Sequence, residues 1–292
     1  MPIRSAQVGV DLGACDFEVT TRRLLSFAAA LGETAPPVFD DAAADFAGMP
    51  QFCVVPEWPW ASAAERTGRL GLTPEEARRA LHMGQDSTFH RPIRPGMRLR
   101  VSGQLVAVRG SKAGTITVSR IETSDASTGD RCVTTYSSAL FRGVSLDGEP
   151  RSLESTATAA SAAGVDDARA DVTEVVIPRE FGHVYTECTG IWNPIHTERR
   201  VALAMGLPDI VLHGTATWAI AGRELSRLHG AGQAALRRLA GSFRAMVIPG
   251  TAIRIEHRLL ATASAAVRFT VFNAAGETAI ADGIAEFSSP TN

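Results

Sequence analysis

The chain has 292 residues, 45% of them apolar and 21% charged, a composition typical of a globular protein with one large or two ordinary domains. Its 29 Lys and Arg nearly balance 31 Asp and Glu, and no long basic run stands out, so nothing in the sequence indicates an electrostatic nucleic-acid-binding surface. No segment has the roughly 18 apolar residues of a membrane span, no apolar secretory run opens the chain, and the four cysteines lack metal-type spacing. We therefore expect a cytoplasmic protein without a metal site.

The first half predicts a helix, an irregular segment and a sheet. The stretch TTRRLLSFAAALGE (20–33) has the apolar spacing of an amphipathic helix, and its glycine is typical of a helix C-terminus. Further along, TFHRPIRPGMRLRV (88–101) contains a Pro-Gly turn that is followed by the alternation of a strand.

A segment of different composition separates the halves. Residues 146–171 are rich in Ala, Ser, Thr and Asp, and after Leu153 their one large apolar residue is Val165. Such a stretch buries little surface, so it predicts a linker between a first domain at 1–145 and a second at 172–292.

The second half predicts the same order of elements. REFGHVYTECTG (179–190) has the pattern of a helix that ends in a glycine turn, and ERRVALAMG (198–206) that of a short helix. A longer helix begins at Gly214, and its nearly continuous apolar start predicts burial on most faces. Alternating segments follow and predict antiparallel strands.

The two halves resemble each other in sequence. SFRAMVIPGTAIRI (242–255) matches TFHRPIRPGMRLRV in its Phe and its Pro-Gly, and GIWNPIHTERRVALAMGLP (190–208) parallels GETAPPVFDDAAADFAGMP (32–50) with one insertion. Phe39 stands where the second half has His196. We infer a duplicated α+β unit, each copy a buried helix wrapped by an antiparallel sheet, with the chemistry kept in the second copy alone.

The run YTECTGIWNPIHTERRVALAMGLPDIVLHGTATWA resembles the hydratase-2 motif of the MaoC-like family, hotdog-fold enoyl-thioester hydratases and 3-hydroxyacyl dehydratases. The resemblance implies a double hotdog whose first repeat is degenerate and non-catalytic. The positions that match the motif are Gly190, Asn193, Pro194, Ile195, His196, Ala202, Gly206, His213 and Gly214.

The resemblance also implies a mechanism. The N–H of Gly214, at the start of the buried helix, would polarise a thioester carbonyl. His196 would move protons between a water molecule and the α-carbon, as half of an aspartate–histidine pair, and Asn193 would shape its turn. The aspartate position holds Ile191, which can neither hold nor move a proton, so that pair is incomplete.

Nearby residues offer replacements and pocket contacts. Glu187 lies one helical turn before Ile191 and could supply the missing carboxylate; the alternative is a solvated helix residue. Tyr185, Trp192 and His213, with Ile191 and Asn193, are expected to contact the substrate, although His213 could instead be purely structural. His196 has the corresponding alternative of a turn histidine without a catalytic role.

We interpret the chain as an enoyl hydratase or 3-hydroxyacyl dehydratase that acts on thioesters of CoA or of an acyl carrier protein. No cofactor is expected beyond the CoA or phosphopantetheine of the substrate, and association into a homodimer stays open. Two alternatives remain. The scaffold could be repurposed for conjugate addition of another nucleophile, isomerisation or thioester hydrolysis, or it could bind acyl thioesters without catalysis.

Overall fold

A computed structural model of the chain describes residues 1–154, 170–230, 232–260 and 266–288. The first half forms, in chain order, β1 (Ile3–Arg4), β2 (Asp11–Glu18), α1 (Thr21–Ala30), α2 (Pro36–Phe39), α3 (Val54–Ser62), α4 (Ala64–Arg69), α5 (Pro74–Arg78), β3 (Ala80–Phe89), β4 (Arg98–Ser111), β5 (Gly114–Asp125), β6 (Arg131–Arg142), β7 (Leu146–Asp147) and β8 (Arg151–Ser152). The second half forms β9 (Asp171–Val176), α6 (Phe181–Thr189), α7 (Arg199–Ala204), α8 (Gly214–His229), β10 (Leu236–Phe243), β11 (Ala252–Leu260), β12 (Ala266–Phe272) and β13 (Thr278–Phe287).

One antiparallel sheet joins the two repeats. From its outer edge to the middle, the first repeat contributes β2-β4-β5-β6-β3, and the second contributes β9-β11-β12-β13-β10. The two sets meet where β3 pairs with β10, with Asp86 opposite Ala240. Short strand β8 extends β4, and β1 pairs with β7 separately. The duplication predicted from sequence is therefore a duplication of topology, and the double-hotdog fold class is confirmed.

The repeated Pro-Gly motif makes the same turn in both repeats. Phe89 ends β3 and Phe243 ends β10, and a turn follows each strand. Gly96 and Gly250 in these turns have φ of 81° and 91°, in the left-handed region that favours glycine. The next strand of each repeat, β4 or β11, begins directly after this turn. The same turn therefore connects the corresponding strands in both repeats.

The central helices differ between the repeats. Helix α8 has 16 residues and is buried from Ala216 to Ser226, as its apolar sequence predicts. A Cβ atom on Gly222 would lie 2.5 Å from Leu239 Cδ2, so the glycine lets this helix pack closely on the sheet. Helix α3 of the first repeat has nine residues and contains Pro59 in its interior. Proline removes a helical N–H and disfavours extension, which is consistent with the shorter helix.

The interface between repeats has an apolar core and a charged seam. Phe27 on α1 and Tyr185 on α6 are both fully buried, with ring centroids 6.4 Å apart. On the sheet, the Arg238 guanidinium donates to both carboxylate oxygens of Asp86 at 2.8 Å. One continuous hydrophobic cluster draws residues from both repeats. The two halves thus share a core.

The predicted linker is only partly described. Residues 146–147 and 151–152 form β7 and β8 against the first repeat, and 171 begins β9. Residues 155–169 lie outside the described residues. The domain boundaries at 145 and 172 therefore stay predictions. Among the described residues, no helix is long and apolar enough to cross a membrane.

Candidate active site

The glycine turn after α6 places the motif. Gly190 follows the helix with φ 71°, a left-handed conformation, and its N–H donates to the Thr186 carbonyl. The hydroxyl of Thr189 donates to the Tyr185 carbonyl at 2.6 Å and accepts the N–H of Ile191 at 3.1 Å. The chain thus leaves the helix in one fixed direction.

A short 3-10 turn then presents the histidine. Asn193 caps it through its side-chain oxygen, which accepts the N–H of Ile195 at 3.4 Å, and Pro194 occupies the first position, where its missing N–H costs nothing. The backbone of His196 lies directly against α6, because a Cβ atom on Gly182 would be only 2.6 Å from the His196 carbonyl oxygen. Gly182 is a positioning residue that the sequence pattern did not reveal.

The imidazole of His196 has a defined tautomer. Its Nδ1 lies 2.7 Å from the Val211 carbonyl oxygen. Because a carbonyl only accepts, Nδ1 carries the hydrogen and Nε2 keeps its lone pair. Burial lowers the pKa of His196, and the bond to Val211 only partly opposes this effect. The half-buried imidazole is therefore neutral near pH 7, with Nε2 able to accept a proton.

His213 stacks on His196, and their ring centroids are 3.7 Å apart at an interplanar angle of 28°. Its Nε2 donates to the Ile191 carbonyl at 3.0 Å, which leaves Nδ1 as a buried acceptor with no partner among the described residues. Desolvation, followed by the nearby His196, lowers the pKa of His213 to about 3. His213 thus stays neutral, holds the turn at Ile191 and packs against the imidazole of His196.

Gly214 directly follows His213 and begins α8. No hydrogen bond among the described residues uses its N–H, and the positive end of the helix dipole adds to the donor strength there. A Cβ atom at this position would be 3.1 Å from Phe243 Cδ2, so the glycine lets α8 approach the aromatic ring. The arrangement brings an N–H donor next to the paired imidazoles.

The other predicted residues divide into buried and exposed ones. Ile191 is 5% exposed and packs in the core, so an apolar side chain fills the aspartate position. Tyr185 is buried and donates to the Thr215 hydroxyl at 3.3 Å, and burial raises its phenol pKa. Trp192 is 56% exposed.

Glu187 lies on the exposed side of α6, and no hydrogen bond or ion pair joins its carboxylate to a described residue. This placement supports the alternative of a solvated residue, and catalysis by Glu187 stays a prediction. No group of His, Cys, Asp and Glu among the described residues could hold a metal ion.

Family models match both repeats. Residues 6–135 match the FAS1-like dehydratase domain region, and residues 172–279 match the MaoC-like domain. A curated relative, a UPF0336 protein of Streptomyces coelicolor, is 26% identical over 129 residues, which are 43% of this chain and 85% of the relative.

Solved structures share the whole architecture. A MaoC-like dehydratase from Phytophthora capsici superposes with a TM-score of 0.82 at 18% identity over 97% of both chains. The peroxisomal multifunctional enzyme type 2 of Drosophila melanogaster gives 0.75 at 19% identity over 94% of this chain and 48% of that one. Rv0216 of Mycobacterium tuberculosis, described as a double hotdog, gives 0.59 at 13% identity over 96% of both chains. The chain thus belongs to the MaoC-like double-hotdog dehydratases, with a FAS1-like dehydratase region as its first repeat.

Proposed function

We propose that the protein hydrates 2-enoyl thioesters, or dehydrates 3-hydroxyacyl thioesters, with His196 as the single proton-transfer group. The observation that carries this proposal is the pairing of a fixed acceptor with a free donor. His196 Nε2 keeps its lone pair because Nδ1–H is bound to Val211. The unpaired N–H of Gly214 follows His213, which stacks on the same imidazole.

Each group has one role in the proposed reaction. The Gly214 N–H donates to the thioester carbonyl and stabilises the negative charge that develops on its oxygen. His196 Nε2 takes a proton from water while the water oxygen bonds to C3, and the imidazolium then returns that proton to C2. One H₂O adds across the double bond, and the reverse sequence dehydrates a 3-hydroxyacyl thioester. The reaction is redox-neutral, so it needs no redox cofactor.

The remaining predicted residues would shape the pocket. Ile191, Tyr185 and His213 would form its packed wall, Asn193 would hold the turn, and exposed Trp192 would contact the carrier arm at the mouth. The first repeat would contribute walls of the acyl tunnel. The carrier would be CoA or the phosphopantetheine of an acyl carrier protein. The proposal requires no second copy of the chain.

A specific observation favours a second candidate, an acyl-thioester-binding protein without hydratase activity. Ile191 is buried where the motif has its aspartate, and loss of one acid–base group costs roughly 10²–10⁴-fold in rate. A protein under no demand for turnover would tolerate that loss. The Gly214 donor would still bind a thioester carbonyl.

Turnover of crotonyl-CoA and of longer 2-enoyl-CoAs tests the proposal. Loss of enoyl absorbance and a product heavier by one water, both abolished in His196→Ala, are expected for the hydratase. His90→Ala changes an exposed histidine of the first repeat and serves as the control. Absence of hydration by the wild type would exclude the hydratase for these substrates. If the wild type and His196→Ala both still bind crotonyl-CoA, that result would then support the binding role.

A further inference from the structure

His213 has a buried hydrogen-bond acceptor without a donor among the described residues. The side chain is 3% exposed, and its Nε2–H donates to the Ile191 carbonyl, so Nδ1 keeps a lone pair that no described group uses. His213 precedes α8 as its N-cap, yet its side chain accepts no hydrogen bond from the first turn of that helix. A buried acceptor that lacks a donor costs free energy, so its presence requires a reason.

Packing alone does not require an imidazole at this position. Val55 lies five residues after Pro50, as His213 lies five residues after Pro208, so the two residues correspond. Each is 3% exposed, which shows that the corresponding buried place of the first repeat accepts a purely apolar side chain. The bond to Ile191 accounts for one nitrogen of His213, and Nδ1 is left without a structural role.

The first repeat lacks the N–H donor and both imidazoles of the candidate site. Val55 is followed by Pro56, which has no N–H, whereas the second repeat offers the N–H of Gly214. Phe39 stands where the second repeat has His196. The unused acceptor thus occurs in the repeat that also has the proton-transfer group and the carbonyl donor, which indicates a role in the reaction.

Stacking brings this acceptor next to the proton-transfer group. The rings of His213 and His196 lie with their centroids 3.7 Å apart and their planes at 28°. A water molecule can join two acceptors that are up to about 5.5 Å apart, and rings stacked this closely hold their nitrogen atoms within that span. The imidazole of His196 is only half-buried, so water can approach the pair from its side.

We propose that His213 Nδ1 accepts a hydrogen bond from the reacting water and from the 3-hydroxyl group that this water becomes. The inference rests on the proposed function for the reaction and adds the group that orients its water. One hydrogen of the water passes to His196 Nε2 while the oxygen bonds to C3 and the electron pair of the double bond moves to C2. His196 then delivers that proton to C2. The second hydrogen stays on the oxygen and remains bound to His213 Nδ1, so His213 orients the water in place of the carboxylate that is missing at Ile191.

The pKa values of the two rings support this division of roles. Burial lowers the pKa of both imidazoles, and the neighbouring His196 lowers that of His213 further, to about 3. His213 therefore offers a lone pair to the water without competing for its proton, which passes to His196.

Two substitutions separate the nitrogen atoms of His213. In His213→Gln the side-chain amide reaches the place of Nε2 and can still donate to the Ile191 carbonyl, but no acceptor replaces Nδ1. In His213→Asn the shorter side chain places its amide oxygen near Nδ1 and leaves the Ile191 carbonyl without its donor. The inference predicts that His213→Gln loses function at an unchanged Tm, and that His213→Asn keeps part of the function at a lower Tm. A purely structural His213 predicts the reverse order.

Binding tests the acceptor without turnover. The ligands are the butyramide and the two enantiomers of the 3-hydroxybutyramide of CoA, in which an N–H replaces the thioester sulfur, so that the carbonyl is kept and dehydration is suppressed. In calorimetric titration the wild type should bind one hydroxylated enantiomer roughly 3- to 10-fold more tightly than the butyramide, the effect of one neutral hydrogen bond. His213→Gln should bind the butyramide as the wild type does and lose this preference.

Steady-state hydration of crotonyl-CoA gives a second readout. Because crotonyl-CoA has no hydroxyl group for Nδ1, His213→Gln should lower kcat roughly 10-fold and leave KM almost unchanged. The inference is wrong if His213→Gln keeps the preference or the kcat of the wild type, or if the wild type binds the three amides equally. Wild-type hydration with an unaffected His213→Gln would refute this inference alone. A preference that depends on His213, without any hydration, would refute the proposed function alone.

Discussion

The turns after α1 and α6 share a left-handed glycine and differ in the residue that follows it. Gly32 and Gly190 have φ of 69° and 71°, so a glycine in the left-handed conformation follows each helix. The next residue is Glu33 in the first repeat and Ile191 in the second, and each is 5% exposed. The repeat that kept a carboxylate after this glycine has lost the histidine, and the repeat that kept the histidine has lost the carboxylate.

The carboxylate of Glu33 is fully used by its own surroundings. One oxygen accepts the N–H groups of Thr34 and Ala35 at 2.7 and 2.9 Å, and the other accepts from Gln233 at 2.9 Å. Glu33 therefore stabilises a loop and cannot replace the missing aspartate at His196. The difference teaches that the same position serves the structure in both repeats, through a hydrogen-bonded carboxylate in the first and an apolar core side chain in the second.

Replacing Ile191 by Asp should have the largest effect on the difference between the two repeats. The new carboxylate would stand where the motif has its aspartate, so we expect hydration of crotonyl-CoA to rise by roughly 10²–10⁴-fold. Ile191→Asn, of similar size and without a titratable group, should not show the rise. Steady-state kcat on purified, folded variants measures it. A fall in native activity in Ile191→Asp would instead indicate a repurposed site.

The first turns of the central helices differ as well. Glu57 and Thr215 occupy corresponding positions in the two repeats. Glu57 lies seven residues after Pro50, and Thr215 lies seven residues after Pro208. Glu57 is 5% exposed and accepts hydrogen bonds from Thr135 at 2.6 Å and from Gln85 at 3.1 Å. Desolvation nonetheless raises its pKa from the ordinary 4.5 to about 7. The first repeat thus buries an acid where the second has a neutral hydroxyl.

This acid should make stability depend on pH. Between pH 4.5 and about 7 the unfolded chain has released the proton of Glu57 while the folded chain keeps it, so stability falls as pH rises. The loss amounts to roughly 3 kcal/mol and is complete above pH 7. Glu57→Gln should remove this pH-dependent part of the free energy of unfolding, which urea unfolding at pH 5 and pH 8 measures. Glu75→Gln, on the surface, should leave it unchanged. An unchanged pH dependence in Glu57→Gln would contradict the assignment.

Removing the Glu33 carboxylate should lower the free energy of unfolding more than shortening Ile191, the corresponding residue of the second repeat. Glu33→Ala leaves two backbone N–H groups and the Gln233 amide without their acceptor, at a cost of roughly 2–3 kcal/mol. Ile191→Val removes one buried methylene group and should cost about 1 kcal/mol. Urea unfolding at constant pH compares the two. Equal costs would show that Glu33 contributes only its packing.

The smallest expected contrast concerns Trp60 on α3 and Trp218 on α8. They lie ten residues after Pro50 and Pro208, respectively. Trp60 Nε1 donates to the Gly13 carbonyl at 2.9 Å, whereas buried Trp218 Nε1 has no partner among the described residues. Trp60→Phe should leave the Gly13 carbonyl unsatisfied and cost about 1 kcal/mol more than Trp218→Phe, since both lose similar apolar volume. The difference in Tm between the variants measures this, and a reversed order would refute it.

Much of the fold could be predicted because its signals are local. The glycine caps, the Pro-Gly turns and the apolar start of α8 each depend on a few neighbouring residues, and their recurrence in both halves indicated the duplication. The local structure of the candidate site was predictable at Asn193, which shapes its turn, and at Gly214, which begins α8. Glu187 was proposed from helical spacing alone, and spacing does not tell which side of α6 faces the protein. Gly182 and Val211 escaped prediction because their contacts to His196 are made by backbone atoms.

By itself, the sequence determined the order of elements, the loss of the aspartate at Ile191 and the loss of the histidine at Phe39, since these are properties of residue identity and local spacing. The tertiary structure alone decided the tautomer of His196, the stacking of His213 upon it and the neutral state of both rings. It also decided that Glu33 is used within its loop. These properties depend on burial and on partners that come together only when the chain has folded.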